Sequence, residues 1–105
     1  MWPTDGGFVV TSNEGEIRFV WPEVLEVVAF KRDLLTSDSI RLAFRRGPGN
    51  RYLEIGEEME GFSTLVAAMH QNLSGIPEDW LQLVTQPPFA TNVRRIFGTA
   101  PDRDD

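Results

Sequence analysis

The 105-residue chain contains no cysteine. That excludes a disulfide framework, a thiolate nucleophile and any cysteine-based zinc site, so the fold must rest on its core alone. It holds one histidine, His70, and one lysine, Lys31; the other nine cations are arginines. A mechanism that needs an imidazole therefore has one residue to use. No apolar run approaches the roughly 20 residues of a bilayer span, and the start, MWPTDGGFVV, lacks a basic region followed by a 7–15 residue apolar stretch. No integral membrane association is expected, and a cytoplasmic location is the default. Basic residues are also in the minority, ten against sixteen acids for a net charge of −6, which opposes phosphate backbones and anionic headgroups. Nucleic acid is thus an unfavoured partner.

What is present is the composition of a folded chain, 41% hydrophobic and 25% charged, of a length that supports one core. The first half has the period of strands. Phe8 to Thr11, then Ile17, Phe19 and Trp21 alternating with Arg18 and Val20, flank the polar cluster SNEG and predict a hairpin ended by Pro22. Leu25 to Phe30 is almost continuously apolar and reads as a strand covered on both faces. After the turn formers LLTSDS, Ile40, Leu42 and Phe44 alternate with Arg41, Ala43 and Arg45. Gly47-Pro48-Gly49 marks the next turn, and Arg51 to Ile55 a fifth strand with Leu53 and Ile55 facing opposite to Tyr52 and Glu54.

From Gly61 the period changes to that of a helix. Phe62, Leu65, Val66, Met69 and Leu73 form one stripe, so an amphipathic helix is predicted at about 61–73. Ser74-Gly75 stops it, and Pro77 opens a shorter helix at about 77–84. A short strand at Val93 to Phe97 follows. The expected organisation is a single α+β domain over 1–97, an N-terminal antiparallel bent sheet of about five strands packed by the first helix, with a flexible acidic tail at 98–105.

Candidate site residues fall into two charged sets. Glu54, Glu57, Glu58 and Glu60 crowd seven positions before the first helix, and Glu78 and Asp79 precede the second. Position explains the first set as a solvated helix entrance, where carboxylates meet the positive end of the macrodipole. A partner-binding acidic patch is the functional reading. Metal binding would want alternating Asp and Asn around a central Gly, or interleaved His, and the pattern has neither. Arg41, Arg45, Arg46 and Arg51 gather along one hairpin and form the alternative, anion-binding set; cross-strand pairing with glutamates is the plain explanation. His70, beside Gln71 and Asn72 on the polar side of its helix, reads as a surface residue. None of Ser12, Ser37, Ser39, Ser63 or Ser74 lies in a nucleophile elbow, and Asp33 and Asp38 bracket a turn. Catalytic, cofactor and metal residues are therefore set at none. Trp80 and Pro87 to Phe89 either close over the core or line a binding surface.

The stretches WPEVLEVVAFKRDLLTSDSIRLAF, EIGEEMEGFSTLV and PEDWLQLVTQPPFATN together resemble small bacterial proteins of uncharacterised function with a pleckstrin-homology-like roll. The resemblance covers about residues 16 to 97 and rests on core and turn residues. It implies a sharply bent, seven-stranded sheet closed at one end by an amphipathic helix, and no catalytic motif comes with it. The functional expectation is a non-enzymatic domain that binds another, basic protein through an acidic face, of the immunity or toxin-neutralising type. Binding of a phospholipid headgroup or peptide is the second expectation, and a minimal enzyme the third.

Overall fold

A computed structural model describes residues 1–13, 15–34, 37–47, 49, 51–85 and 93–101. The chain begins with a three-residue strand, β1 (Trp2–Thr4), which turns at Gly6 into β2 (Gly7–Ser12) and then β3 (Gly15–Val20). These pair in sequence order as an antiparallel sheet, with Phe8 opposite Phe19 and Val10 opposite Ile17. Pro22 stops the third strand as its missing N–H requires. A 3₁₀ turn over Trp21–Glu23 follows and carries Trp21 inward.

The second sheet is built from β4 (Glu26–Leu34), β5 (Ser37–Arg45), β6 (Tyr52–Gly56) and β7 (Arg94–Gly98), in the order β6-β5-β4-β7 and antiparallel throughout. Leu34 pairs with Ser37, so most of the LLTSDS stretch belongs to strand rather than turn. Between β6 and β7 the chain forms α1 (Phe62–Asn72) and α2 (Trp80–Thr85). The architecture is α+β with two antiparallel sheets and two helices. Among the described residues seven strands are divided between two sheets, where one sheet of about five and a short later strand at Val93 to Phe97 are expected from the sequence. β1 escaped the pattern because three residues centred on a proline carry no period, yet an edge position tolerates that proline.

One core joins both layers. Phe8, Val10 and Phe19 from the first sheet meet Val27, Ala29, Leu42, Phe44, Ile55 and Ile96 from the second. Leu65, Met69 and Leu73 of α1, with Ile76, Trp80 and Val84 around α2, complete it. The expected helical stripe is therefore the buried face, with Phe62 and Val66 at its margin. Where the two sheets meet, Trp21 touches three rings. Its edge packs on Phe19 at 5.2 Å, Phe44 at 6.3 Å and Phe8 at 6.4 Å, while Phe19 and Phe44 stack at 5.7 Å. Such pairs add about 0.5–1.5 kcal/mol each beyond the area they bury. Trp80 is buried beneath α2, and its indole N–H donates to His70 Nε2 at 3.1 Å, so the exposed histidine ties the two helices. Pro87 to Phe89 lies outside the described residues.

Helix starts differ from the expected ones. α1 begins after Gly61, whose φ of 93° is the left-handed conformation, and α2 begins at Trp80, with Pro77 to Asp79 forming the turn before it. At the other end of the chain Gly98 (φ 79°) pairs with Glu26, and a Cβ there would overlap the Leu25 carbonyl oxygen.

Two substitutions measure these constraints in urea unfolding. Phe44→Ala is expected to cost about 3–5 kcal/mol, because a buried ring is lost from the junction of the sheets. Gly98→Ala should cost more than the roughly 1 kcal/mol of an ordinary substitution, since a steric overlap adds to the positive φ. Leu81→Ala, on the exposed side of α2, should stay within about 0.5 kcal/mol.

Candidate functional site

The most ordered charged assembly lies on the face of the second sheet that turns away from the core. Period-two alternation puts Val27 and Ala29 inward and leaves Glu26 and Arg32 on the outer face of β4. Likewise β5 presents Ser39, Arg41 and Arg45 there, and β6 presents Tyr52 and Glu54, the orientation predicted for those two.

Two networks result. At one end Glu26, 1% exposed, receives bonds from three strands: Arg45 Nε (3.0 Å) and the Tyr52 hydroxyl (2.6 Å) donate to Oε1, and Arg95 Nε (2.8 Å) donates to Oε2. Arg45, also buried, spends its remaining nitrogens on the carbonyls of Gly47 and Thr99. The chain is thus held through Thr99, one residue past the expected start of the tail; 102–105 lie outside the described residues. At the other end Glu54 accepts from Arg32 Nη2 (2.6 Å) and from Arg41 Nε (3.0 Å). Arg41 also pairs with Glu58, which takes the Ser39 hydroxyl at 2.7 Å. Arg32 lies 5.7 Å from the centre of the Phe30 ring.

Titration behaviour follows from these contacts. Burial pushes the Glu26 carboxyl up, but the bonds from Arg95, Tyr52 and Arg45 outweigh it and hold it below the ordinary 4.5. Glu54 is lowered in the same way, Arg32 and Arg41 overcoming burial. Glu58 is lowered chiefly by the Ser39 hydroxyl, with Arg41 adding to it. The Tyr52 hydroxyl is raised above 10, first because it donates to Glu26. Burial depresses Arg41 and its two glutamates more than compensate, so it is raised. A phenol that is harder to ionise and a carboxylate that is harder to protonate stabilise each other's protonation state.

The structure separates the expected acidic set. Glu54 and Glu58 are bound to arginines, while Glu57 accepts the Ile40 N–H at 3.1 Å and remains exposed, as does Glu60. None of the four lies in the first turn of α1, so the macrodipole account is corrected: Gly61 intervenes, and the carboxylates serve the sheet and the turn before the helix. Glu78 and Asp79 are exposed in the turn that precedes α2. Among the cations, Arg41 and Arg45 are committed to carboxylates, Arg46 Nη1 donates to the Arg18 carbonyl at 3.2 Å, and Arg51 is exposed. Lys31 is buried, with Nζ 3.2 Å from the Thr85 carbonyl at the end of α2 and 3.8 Å from Asp38. An open hollow of about 230 Å³ lies elsewhere, lined by Thr4, Arg18, Phe19, Val20 and Glu23.

Glu26, which accepts three side-chain hydrogen bonds, is not among the residues singled out from the sequence. Its signal was a lone acid inside the run Leu25 to Phe30, read as apolar, where a charge demands a partner. Comparison with family models, with curated proteins and with solved structures returns no match.

Two outcomes are expected from this geometry. Glu26→Gln should destabilise by about 3–5 kcal/mol, because it strands the buried Arg45 guanidinium, whereas Tyr52→Phe should cost only about 1 kcal/mol; thermal and urea unfolding compare them. Since the folded-state values of Glu26, Glu54 and Glu58 lie below 4.5, their stabilisation is complete above that pH and is lost as pH falls beneath it. Unfolding free energy should decline below about pH 4.5, and a triple Gln variant should show a flatter acid limb from a lower plateau.

Proposed function

We infer that this chain is a non-enzymatic interaction module that meets a basic protein along the exposed side of α1. The observation that carries the reading is the distribution of charge. The outer face of the second sheet holds four guanidiniums, Arg32, Arg41, Arg45 and Arg95, against three carboxylates, a balance of +1, so the rest of the chain carries more than the whole net charge of −6. α1 itself contains no lysine or arginine, and its exposed side runs through Ser63, Thr64, Ala67 and Gln71. Glu57 and Glu60 precede α1 in the chain and Glu78 and Asp79 follow it, all exposed and without a cation partner among the described residues.

A strip of small and polar side chains bounded by acids suits a flat basic surface. Complementary charge there raises the rate of encounter and selects the partner more than it adds affinity. An immunity or toxin-neutralising role is the form of this reading that the size and charge favour. Seven strands and an amphipathic helix are the count that a pleckstrin-like plan implies, although division into two sheets, with both helices before β7, departs from one bent sheet. Headgroup binding of the pleckstrin type would call on Arg41, Arg45, Arg46 and Arg51 around an opening; the ion pairs of Arg41 and Arg45 weigh against it.

Affinity capture from the native host at low and high salt tests the interaction, with mass spectrometry of the bound proteins. A basic protein should be retained at low ionic strength and released on raising salt, as surface charges are screened over about 8 Å at 0.15 M. Retention should fall in a variant carrying Glu57→Lys, Glu60→Lys, Glu78→Lys and Asp79→Lys, whose sites are exposed. A partner held equally at high salt and by that variant would overturn the acidic-strip reading.

A further inference from the structure

Among the described residues the two sheets leave four outer edges, and on three of them an outward backbone group is missing or already bonded. On β3 the Val20 N–H is taken by Glu23 Oε1 at 3.2 Å and the Arg18 carbonyl by Arg46. Pro3 at the centre of β1 has no N–H to offer. On β6 the Gly56 N–H donates to Met59 Sδ at 3.3 Å. The fourth edge, β7, carries a bulge opposite Val27 and Val28, and among the described residues its backbone bonds only to β4.

That edge carries two adjacent exposed arginines. Arg94 has no ion pair among the described residues, and Arg95 uses Nε alone for Glu26, with its side chain 44% exposed. Strand alternation puts them on opposite faces of β7, just before the bulge. Val93, just before them, is 64% exposed, the most exposed large apolar side chain of those described. Unpaired strand edges are ready templates for another strand. Pairing with a second copy through the same edge would set Arg94 and Arg95 against their own counterparts, which is unfavourable between opposite strand positions.

We propose that the outer edge of β7 receives an extended acidic segment of another protein as an added strand. Main-chain hydrogen bonds supply the docking, and two consecutive acids in the incoming segment meet Arg94 on one face and Arg95 on the other, with a β-branched residue against Val93. This site is independent of the α1 strip, carries the opposite charge, and lies on a different element.

The test uses the full chain and an amide-capped peptide of sequence TVEEVT at 0.15 M salt. Chemical-shift changes confined to residues 93–99, saturating below about 1 mM, are expected. Arg94→Glu should weaken binding by about tenfold or more, and a TVKKVT peptide should recover it. The same TVEEVT peptide N-methylated at alternate amides keeps its charge and loses its ladder, so it should not bind. Equal binding of the methylated peptide, no effect of Arg94→Glu, or no saturable shift at residues 93–99 would each overturn the proposal.

Discussion

A single carboxylate organises the larger sheet. Glu26 is withdrawn from water, and the cost of that withdrawal is met only because three donors from three other strands converge on its two oxygens. Its position on β4 matters: the strand lies between β5 and β7, and the Tyr52 side chain reaches across from β6. The last strand, separated from β4 by both helices, is therefore fastened at its beginning by Arg95 and just beyond its end by the Thr99 carbonyl on Arg45. Among the described residues no buried side-chain polar atom is left without a partner, the condition under which a buried network rigidifies a fold.

This use of charge also shapes the functional reading. Arg41 and Arg45, two of the four arginines of the anion-binding reading, are bonded to glutamates across the outer face of the sheet, and the glutamates so used are neutralised there. What stays exposed and without a cation partner among the described residues is smaller: Glu57 and Glu60 before α1 and Glu78 and Asp79 after it, with Arg94 on another element. The groups whose titration is shifted owe it to their partners in the sheet, Glu26 being lowered and Tyr52 raised.

Particular residues show why some of this was legible in the chain and some was not. The Phe62 to Leu73 stripe and the alternation of Ile40, Leu42 and Phe44 repeat often enough for their periods to exceed chance, and both became core. β1 was too short for a period, and the LLTSDS residues look like a turn although most of them extend two strands. The glutamates preceding α1 were located correctly by sequence but assigned the wrong partner, because helix proximity is visible in a string of letters and cross-strand proximity is not. Arg41 and Glu58 are seventeen positions apart and meet only through the register of β5 with β6.

By itself, then, the order of residues determined the local periods, the places where prolines and glycines interrupt them, and the class of chain that results, since each depends on neighbours a few positions away. Only the tertiary structure decided the division into two sheets, the pairing of β7 with β4, and which charges are consumed and which remain. Those depend on contacts such as Arg95 with Glu26, 69 positions apart, whose energy exists only once the sheet has closed.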